Sequence, residues 1–352
     1  MKRVTVVRPS GEVTAKSPRV RRTLIEALAR NLADRFDADA RVLGTRVVLD
    51  GEHPDAHREF GVAGAAVGFE VKPRVNAVLR AVRRVLKRFP DRVRVDVRVR
   101  HEGFSGARLH RSVRKMAEGM GLEPRKRAPR LVVEVRSDTA LVAGPEREGP
   151  RGLPRGTQGS ALCTLSGGFD SPVAAWTMAK RGMSITCLHF FVHEGELEGA
   201  EENLTVLRRW IPDVELVVDE THREFLEAAE GALEGRLRRY LCVVCKMRMM
   251  ERACGWAERL GTDCVVTGDS LGQVASQSVW NLGLEDSVAD VPVFRPLIGM
   301  NKEEILEIGR RIGLEEKSGD GCPFVPKAPV VKPRRSEAER AYKLALEAFR
   351  RG

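Results

Sequence analysis

Hydrophobic and polar positions repeat with two different rhythms along the chain, and the rhythm changes near residue 160. Up to residue 143 the periods of 2 and 3.6 residues predict strands and helices in an irregular order. After residue 160 strand, loop and helix alternate, which predicts a doubly wound parallel sheet. Residues 144–160 contain five glycines and three prolines, a composition typical of a linker.

The individual elements follow from the same periodicity. The first half is predicted to hold strands at 3–8, 41–49, 66–72, 93–99 and 131–142, with helices at 18–35, 74–89 and 107–119. The second half is predicted to hold strands at 161–165, 184–190, 214–218 and 263–267, with helices at 172–181, 200–210, 222–239, 246–260, 301–312 and 336–351. The chain of 352 residues is long enough for several buried cores, so we expect a multi-domain α/β protein.

The positive charge lies in one segment. Residues 71–130 hold 19 Lys and Arg against 5 Asp and Glu, whereas residues 151–352 hold 27 against 30. From Arg92 to Arg100 charged residues alternate with valine, so one strand face is charged and the other apolar. Such a surface attracts a polyphosphate backbone, which favours nucleic acid over the alternative of an ordinary solvated surface. The candidate contact residues are Arg83, Arg84, Lys87, Arg98, Arg100, Arg111, Arg114 and Lys115.

Cysteine content and hydropathy limit the cellular context. The seven cysteines are few for this length and odd in number, which predicts a reduced, cytoplasmic protein without a disulfide framework. No stretch approaches the ~18 apolar residues of a membrane span, so no membrane association is expected. The N-terminal residues lack the apolar core of a secretory signal.

A phosphate-binding loop is predicted where the first strand of the second half ends. The segment 161–176 reads ALCTLSGGFDSPVAAW, an apolar strand followed by a tight loop and a helix with Pro172 in its first turn. Glycines let backbone N–H groups approach an anion, and the helix N-terminus adds partial positive charge. Asp170 can bind Mg²⁺ or cap the helix. The loop resembles the pyrophosphatase loop of enzymes that adenylate a substrate with ATP.

Further blocks extend this resemblance over nearly the whole chain. They are Gly11-Glu12 with Lys16-Ser17 and Val20-Arg21-Arg22, GLPRGTQG at 152–159, VTGDSLGQVASQ at 266–277, FRPLIGMNKEEI at 294–305 and CPFVPKAPVVKP at 322–333. Together they resemble the tRNA 4-thiouridine synthetase (tRNA sulfurtransferase) family. The resemblance implies a ferredoxin-like α+β domain at 1–65, a THUMP RNA-binding domain at 66–143, a linker at 144–160, an adenine-nucleotide α-hydrolase-like domain at 161–335 and a C-terminal helix at 336–352.

The resemblance also implies a reaction and its partners. The enzyme would thiolate the uridine at position 8 of tRNA to 4-thiouridine, through an adenylated uridine that a sulfur nucleophile attacks. Its THUMP domain would bind the acceptor end of tRNA, with sulfide or a persulfide carrier as sulfur donor, and a homodimer is compatible with this scheme. Alternatives are a thiolase for a different uridine, sulfur supply for thiamine thiazole synthesis, and a tRNA-binding protein with an inactive nucleotide fold.

The resemblance assigns an ATP site around the loop. The residues are Thr164, Leu165, Ser166, Gly167, Gly168, Asp170, Ser171, His189, Phe190, Lys246, Arg248, Gly268 and Gln277. Lys246 and Arg248 are both candidates to neutralise phosphate, and the sequence does not decide between them. Arg295, Lys302 and Lys327 lie in the family's blocks too, with surface charge as the other interpretation.

Three cysteines are candidates for the sulfur chemistry. Cys242 and Cys245 form a C-x-x-C pair at the start of a predicted helix, whose N-terminus would favour their thiolate forms. Cys322 lies where bacterial relatives place a catalytic cysteine, and no rhodanese-like block follows it. Three thiolates suggest a [4Fe–4S] cluster with one iron open, with a persulfide relay on Cys322 or a zinc site as alternatives.

Overall fold

The computed structural model describes residues 1–316 and 321–351. The chain forms two compact units, here called the N-terminal unit (Met1–Thr157 with Lys180–Gly182) and the C-terminal unit (Gln158–Ala179 and the described residues from Met183 onward). No helix in the described ranges is both long and apolar enough to cross a membrane.

The N-terminal unit is built on one mixed sheet. Its strands are β1 Lys2–Pro9, β2 Ala40–Leu43, β3 Arg46–Asp50, β4 Val62–Val71, β5 Arg92–Val99, β6 Glu123–Pro124, β7 Arg130–Val135, β8 Ala140–Ala143 and β9 Arg147–Glu148. Its helices are α1 Gly11–Thr14, α2 Pro18–Phe36, α3 Val75–Leu86 and α4 Gly106–Gly119, with a 3₁₀ turn at Pro54–Arg58. The strand order is β2-β3-β1-β4-β8-β7-β5-β6, and β9 pairs with β4.

The sheet runs through the predicted boundary between residues 65 and 66. That boundary falls inside β4, which pairs with β1 along one edge and with β8 along the other. A backbone ladder that continues on both sides makes residues 1–157 one compact unit. The predicted division at 65/66 therefore falls within a strand. The predicted linker 144–160 is also partly structured: it contributes β9 to the sheet and Ser160 to the first strand of the next unit.

Two predicted strands of the N-terminal unit are hairpins. The predicted strand 131–142 is the antiparallel pair β7 and β8, and the predicted strand 41–49 is the pair β2 and β3. Gly44 has φ of 62° in the second turn, a left-handed conformation that glycine adopts without steric cost. A turn of two or four residues leaves the β-branched pattern on each side intact, so the periodicity alone predicted one long strand.

The alternation of valine and charged residues along β5 produces one apolar and one charged face, as predicted. Val93 is fully buried, and Val95, Val97 and Val99 pack against the same core, which also contains the buried faces of α3 and α4. The alternating side chains, such as Arg98, therefore project from the opposite face of the sheet.

The C-terminal unit has the predicted doubly wound fold. Its strands are β10 Ser160–Thr164, β11 Ser184–Phe190, β12 Leu216–Asp219, β13 Cys264–Val266 and β14 Val293–Phe294. Its helices are α5 Asp170–Lys180, α6 Glu194–Arg208, α7 Thr221–Ala232, α8 Leu241–Leu260, α9 Val279–Asp286, α10 Lys302–Ile312 and α11 Arg335–Arg351, with 3₁₀ turns at Gly235–Tyr240 and Ala275–Gln277. The five strands are parallel in the order β12-β11-β10-β13-β14, so β10 lies at the centre.

Two helix boundaries differ from the prediction in ways that affect the site. The predicted helix 222–239 ends as α-helix at Ala232, and Gly235 with φ of 52° precedes a 3₁₀ turn. The helix predicted from residue 246 begins at Leu241, so Cys242 and Cys245 lie in its first turns. The final helix α11 packs against α7 and buries Ala341, so it belongs to the core of this unit.

Candidate active site

The predicted phosphate loop connects β10 to α5 at the carboxyl edge of the parallel sheet, where ligands of open α/β sheets bind. Two serine hydroxyl groups accept hydrogen bonds from backbone N–H groups of the loop. The Ser166 N–H donates to Ser171 Oγ at 3.0 Å, and the Gly168 N–H donates to Ser166 Oγ at 3.2 Å. Gly268, at the end of the neighbouring β13, approaches so closely that a Cβ there would lie 2.8 Å from the Ser171 nitrogen. Glycine at this position therefore lets two strand-end loops meet at the helix N-terminus.

Asp170 is the point where three distant segments converge. Its Oδ2 accepts a hydrogen bond of 2.8 Å from Gln273 Nε2, and its Oδ1 lies 3.2 Å from Lys302 Nζ. Lys302 also lies 5.8 Å from the centre of the Phe169 ring. Gln273 and Lys302 both lie in segments that carried the family resemblance, but no sequence pattern indicates that either residue contacts Asp170.

A buried charge network lies behind the loop. Asp269 Oδ1 is 3.5 Å from Lys246 Nζ, its Oδ2 is 3.6 Å from Arg295 Nε, and Thr267 Oγ1 donates to Oδ2 at 2.5 Å. Burial raises the pKa of the Asp269 carboxyl, but Lys246, the Thr267 hydrogen bond and Arg295 outweigh it and hold that pKa below its ordinary value. The Asp269 carboxylate in turn raises the pKa of Lys246, so Lys246 stays charged.

Two buried side chains that line the cavity each have a polar atom without a hydrogen-bond partner among the described residues. His189 Nδ1 lies 2.9 Å from the Leu165 carbonyl, which assigns the proton to Nδ1 and leaves Nε2 as an acceptor. Burial lowers the pKa of His189, which keeps the ring neutral. His189 Nε2 and Gln277 Oε1 have no hydrogen-bond partner among the residues that the structure describes. Buried polar atoms need partners, so both atoms fit a bound ligand with hydrogen-bonding groups.

One cavity of about 300 Å³ joins these groups. Most of the predicted ATP residues line it: Thr164, Leu165, Ser166, Gly168, Asp170, Ser171, His189, Phe190, Lys246, Gly268 and Gln277. Gly167 lies in the same loop but packs against Gly199 of α6. The volume lies at the lower end of the range for small-molecule sites.

Arg248 was predicted to belong to the ATP site, but its side chain does not line the cavity. Its guanidinium lies 5.4 Å from the Phe225 ring centre and 5.6 Å from that of Phe349, and Nη1 is 2.5 Å from Glu251. Residues two apart on a helix point to roughly opposite sides, so Lys246 and Arg248 could not both face the cavity. Lys246 lines the cavity, and Arg248 packs against Phe225 of α7 and Phe349 of α11.

The three candidate cysteines divide between the cavity and its surroundings. Cys245 and Cys322 line the cavity, and Cys242 does not. Cys245 Sγ is 3.3 Å from His222 Nε2, a contact that nothing in the sequence pattern indicated. Among residues 1–316 and 321–351, no three side chains of the metal-binding types are arranged around one metal ion.

In this arrangement burial opposes the predicted thiolate forms of these cysteines. Burial raises the pKa of the Cys242, Cys245 and Cys322 thiols above the ordinary value, and the Lys246 charge only partly opposes this at the first two. The nearby Cys322 raises the pKa of both Cys242 and Cys245 further. Desolvation outweighs the helix N-terminus because these side chains lie partly inside the fold.

The candidate tRNA-binding residues are all in the N-terminal unit and all exposed. Arg83, Arg84 and Lys87 lie on or just after α3, and Arg111, Arg114 and Lys115 lie on α4. Arg98 and Arg100 lie on or just after β5, and Arg98 projects from the sheet face opposite the two helices. The structure therefore places the basic residues on two surfaces of the unit rather than on a single face.

Comparisons with known proteins agree with these features. The family model "Thiamine biosynthesis protein (ThiI)" matches residues 156–346. The probable tRNA sulfurtransferase of Methanocaldococcus jannaschii is 29% identical over 92% of this chain and 93% of its own, and that of Sulfurisphaera tokodaii is 31% identical over 90% and 88%. A crystal structure of a 4-thiouridine synthetase–RNA complex with bound ATP superposes with a TM-score of 0.83 at 26% identity, covering 99% of this chain and 98% of the other.

Proposed function

The chain belongs to the ThiI family of tRNA sulfurtransferases, and from that premise we propose that it converts the uridine at position 8 of tRNA to 4-thiouridine with ATP. One observation carries the proposal: a single cavity is lined both by the phosphate loop with Asp170 and by the thiols of Cys245 and Cys322. Activation of an oxygen and delivery of sulfur can therefore take place in the same enclosed space.

ATP would occupy this cavity with its phosphates at the N-terminus of α5. Backbone N–H groups and the hydroxyls of Ser166 and Ser171 offer donors to the phosphates, and Lys246 adds a fixed positive charge. His189 Nε2 and Gln277 Oε1 offer acceptors to the adenine amino group. The Asp170 carboxylate is an oxygen ligand of the type Mg²⁺ prefers, so we propose that it binds the Mg²⁺ of Mg-ATP.

The reaction proceeds in two displacements. Uridine O4 forms a bond to the α-phosphorus as the bond to the β-phosphate oxygen breaks, pyrophosphate leaves, and N3 loses its proton. A hydrosulfide-type nucleophile then adds at C4, the C4–O4 bond breaks and AMP leaves. Preorganised donors and the Lys246 charge stabilise the charge that develops on the phosphoryl oxygens, so catalysis rests on positioning and electrostatics.

The sulfur step is proposed to use Cys242, Cys245 and Cys322. The described side chains are not arranged around one centre. Cysteine thiolates are the ligands that [4Fe–4S] clusters take, so binding of such a cluster would release the protons of these thiols. Such a group, held by the three sulfurs, would supply an iron with an open position for exogenous sulfide. In the alternative relay, Cys322 would carry a persulfide and one cysteine of the pair would resolve it as a disulfide.

tRNA is proposed to bind through the N-terminal unit, with the THUMP segment 66–143 at the acceptor end. The exposed basic residues of α3, α4 and β5 support this assignment. Recognition by backbone and shape suits a surface rich in arginine with few exposed aromatic rings.

The experiment that tests the function combines the protein with tRNA, Mg-ATP and sulfide under anaerobic conditions. Pyrophosphate release reports adenylation, and mass spectrometry of the digested nucleosides identifies the product and its position. We expect 4-thiouridine at position 8. A thiolated uridine elsewhere would identify the alternative thiolase, and no pyrophosphate release would contradict the enzyme assignment.

The same preparation separates the two sulfur schemes. If a cluster is present, the purified protein contains iron and labile sulfide, and alanine at Cys242, Cys245 or Cys322 lowers the iron content while pyrophosphate release persists. Iron-free protein that is fully active with a persulfide donor and a reductant would instead identify the relay.

Membership of a family described as thiamine biosynthesis proteins favours one second candidate, sulfur supply for thiamine biosynthesis. A strain that lacks the gene would then require thiazole for growth as well as lacking 4-thiouridine. Growth without thiazole would exclude this role.

A further inference from the structure

The phosphate loop needs a support, because residues 165–169 belong to neither a helix nor a strand. A loop that binds phosphate through backbone N–H groups must keep its peptide planes in one orientation before the ligand arrives. In a trans peptide the carbonyl of one residue and the N–H of the next point in opposite directions. A partner that holds a loop carbonyl therefore also orients the following N–H.

Asn203 of α6 holds two carbonyls of this loop. Its Nδ2 donates to the Ser166 carbonyl oxygen at 2.9 Å and to the Gly168 carbonyl oxygen at 2.9 Å. These two carbonyls share their peptide planes with the N–H groups of Gly167 and Phe169. One amide group thus turns both N–H groups away from α6.

Gly199, one helical turn before Asn203, lets α6 come this close. A Cβ on Gly199 would lie 2.8 Å from the Gly167 Cα, and a Cβ on Gly167 would lie 3.3 Å from the Gly199 Cα. Residues four apart lie on the same face of a helix, so Gly199 and Asn203 meet the loop together. Any larger side chain at Gly199 would push the Asn203 amide out of hydrogen-bonding range.

A second contact holds the far end of the loop. The Phe169 ring packs on Gly309 of α10, where a Cβ would lie 2.0 Å from the ring. Lys302, at the start of the same helix, contacts both the Phe169 ring and Asp170. The loop is therefore held by α10 at Phe169, whereas Asn203 holds the Ser166 and Gly168 carbonyls, the first of which also accepts a longer hydrogen bond of 3.5 Å from Ser171 Oγ.

We propose that Asn203 is a positioning residue for adenylation: its amide orients the phosphate loop so that the loop N–H groups meet the ATP phosphates. The proposal deepens the proposed function, because it names what preorganises that site. Asn203 itself touches the loop backbone and needs no contact with ATP.

The test compares ligands with and without phosphates on the full-length protein. Binding of ATP and of adenosine is measured by calorimetry for the wild type, Asn203→Ala, Asn203→Asp and the control Thr205→Ala. Thr205 is exposed on the same helix, and among the described residues its hydroxyl bonds only to the Glu201 carbonyl within α6. Asn203→Asp keeps the shape of the side chain but replaces the amide NH₂ with a carboxylate oxygen. This oxygen cannot donate a hydrogen bond and repels the two loop carbonyl oxygens.

We expect Asn203→Ala to weaken ATP binding about 10- to 100-fold, the equivalent of two neutral hydrogen bonds. Asn203→Asp should weaken it more, whereas adenosine binding and the Thr205→Ala variant should stay within about twofold of the wild type. In turnover, the KM for ATP should rise and kcat for pyrophosphate release should fall, with the KM for tRNA unchanged.

Wild-type ATP affinity in Asn203→Ala would overturn the proposal, as would an equal loss of ATP and adenosine affinity, since the latter indicates general damage to the fold. If Asn203→Ala does not fold, the isosteric variant Asn203→Asp tests the proposal alone, by the same comparison of ATP affinity with adenosine affinity. Failure of the wild type to bind ATP would contradict the proposed function instead, so the two failures are distinct.

Discussion

The candidate binding residues of the two units differ in how exposed their charges are, although the N-terminal unit also contains buried ion pairs such as Arg46 with Glu134. In the N-terminal unit, the eight candidate arginines and lysines are exposed, and those with acidic partners form surface pairs such as Arg98 with Asp96 at 3.4 Å and Arg114 with Glu118 at 3.0 Å. In the C-terminal unit, Lys246, Asp269 and Arg295 form a buried network behind the phosphate loop. Exposed charge acts at a distance and is screened by salt, whereas buried charge acts locally and is fixed by geometry.

The difference predicts which property each unit controls. A surface of exposed cations supplies affinity for a polyanion and depends on many residues, none of them essential. A buried network supplies preorganised stabilisation at one place, so single substitutions there should have large effects. The four predictions below test this division, beginning with the largest effect.

Asp170→Ala should reduce pyrophosphate release on the order of 10³-fold, because it removes the carboxylate at which Gln273 and Lys302 converge. tRNA affinity, measured by filter binding in the absence of ATP, should be nearly unchanged. An equal loss of tRNA binding would show that the two units are not functionally separate, and wild-type pyrophosphate release would remove Asp170 from the mechanism.

tRNA affinity should fall by orders of magnitude between ~50 and ~200 mM salt, because several phosphate contacts release counterions. Alanine at Arg83, Arg84 and Lys87 should flatten the dependence of log affinity on log salt without changing ATP binding. Alanine at Arg98 and Arg100 tests the opposite surface of the sheet, and the set that leaves the slope unchanged identifies the surface that tRNA does not use.

Lys246→Met and Arg248→Met form a matched pair on α8. Lys246 lines the cavity, so its loss should lower kcat/KM for ATP about 10- to 100-fold, the equivalent of one charge-assisted hydrogen bond. Arg248 contacts the Phe225 and Phe349 rings, so its loss should cost about 1 kcal/mol of unfolding free energy with normal ATP binding. The reverse pattern in these two assays would contradict the placement of the two side chains.

Glu285 should produce the smallest effect, a pH dependence of stability. Burial raises its pKa to about 7 from the ordinary 4.5; Asp269 and Asp286 also raise it, and Lys246 and Arg295 lower it. The folded state therefore binds a proton more tightly than the unfolded state. Between about pH 4.5 and pH 7 the free energy of unfolding should fall as pH rises.

Glu285→Gln removes this titration and should flatten that decline, as measured by urea unfolding at several pH values. Identical pH profiles for the two proteins would show that Glu285 is ionised in the folded state throughout this range.

Much of the site could be predicted because its parts are local. The strand, the glycine-rich loop and the helix around Asp170 are contiguous in sequence, and hydrophobic periodicity places them on a parallel sheet. The buried placement of the β5 valines follows from the same kind of argument. Patterns of this type depend on residues that are close in sequence, so they can be recognised without knowledge of the tertiary fold.

The structure decided what depends on contacts between distant segments. Asp170 meets Lys302, 132 residues away, and Gln273, 103 residues away, because the two segments lie beside α5 at the same sheet edge. The packing of α8 decided that Lys246 rather than Arg248 lines the cavity. Helix phase of this kind depends on packing against other elements, which propensity along the chain does not specify.

The sequence by itself determined the phosphate loop, the family, the parallel sheet and the positive charge of residues 71–130. Each of these depends on residue types and their spacing over short stretches. Only the tertiary structure decided that β4 joins the two predicted N-terminal domains in one sheet, that burial keeps the cysteine pKa values high, and that Asn203 holds the loop. The physical reason is common to all three: strand pairing, desolvation and side-chain reach are properties of neighbours in space, and those neighbours lie far apart in the chain.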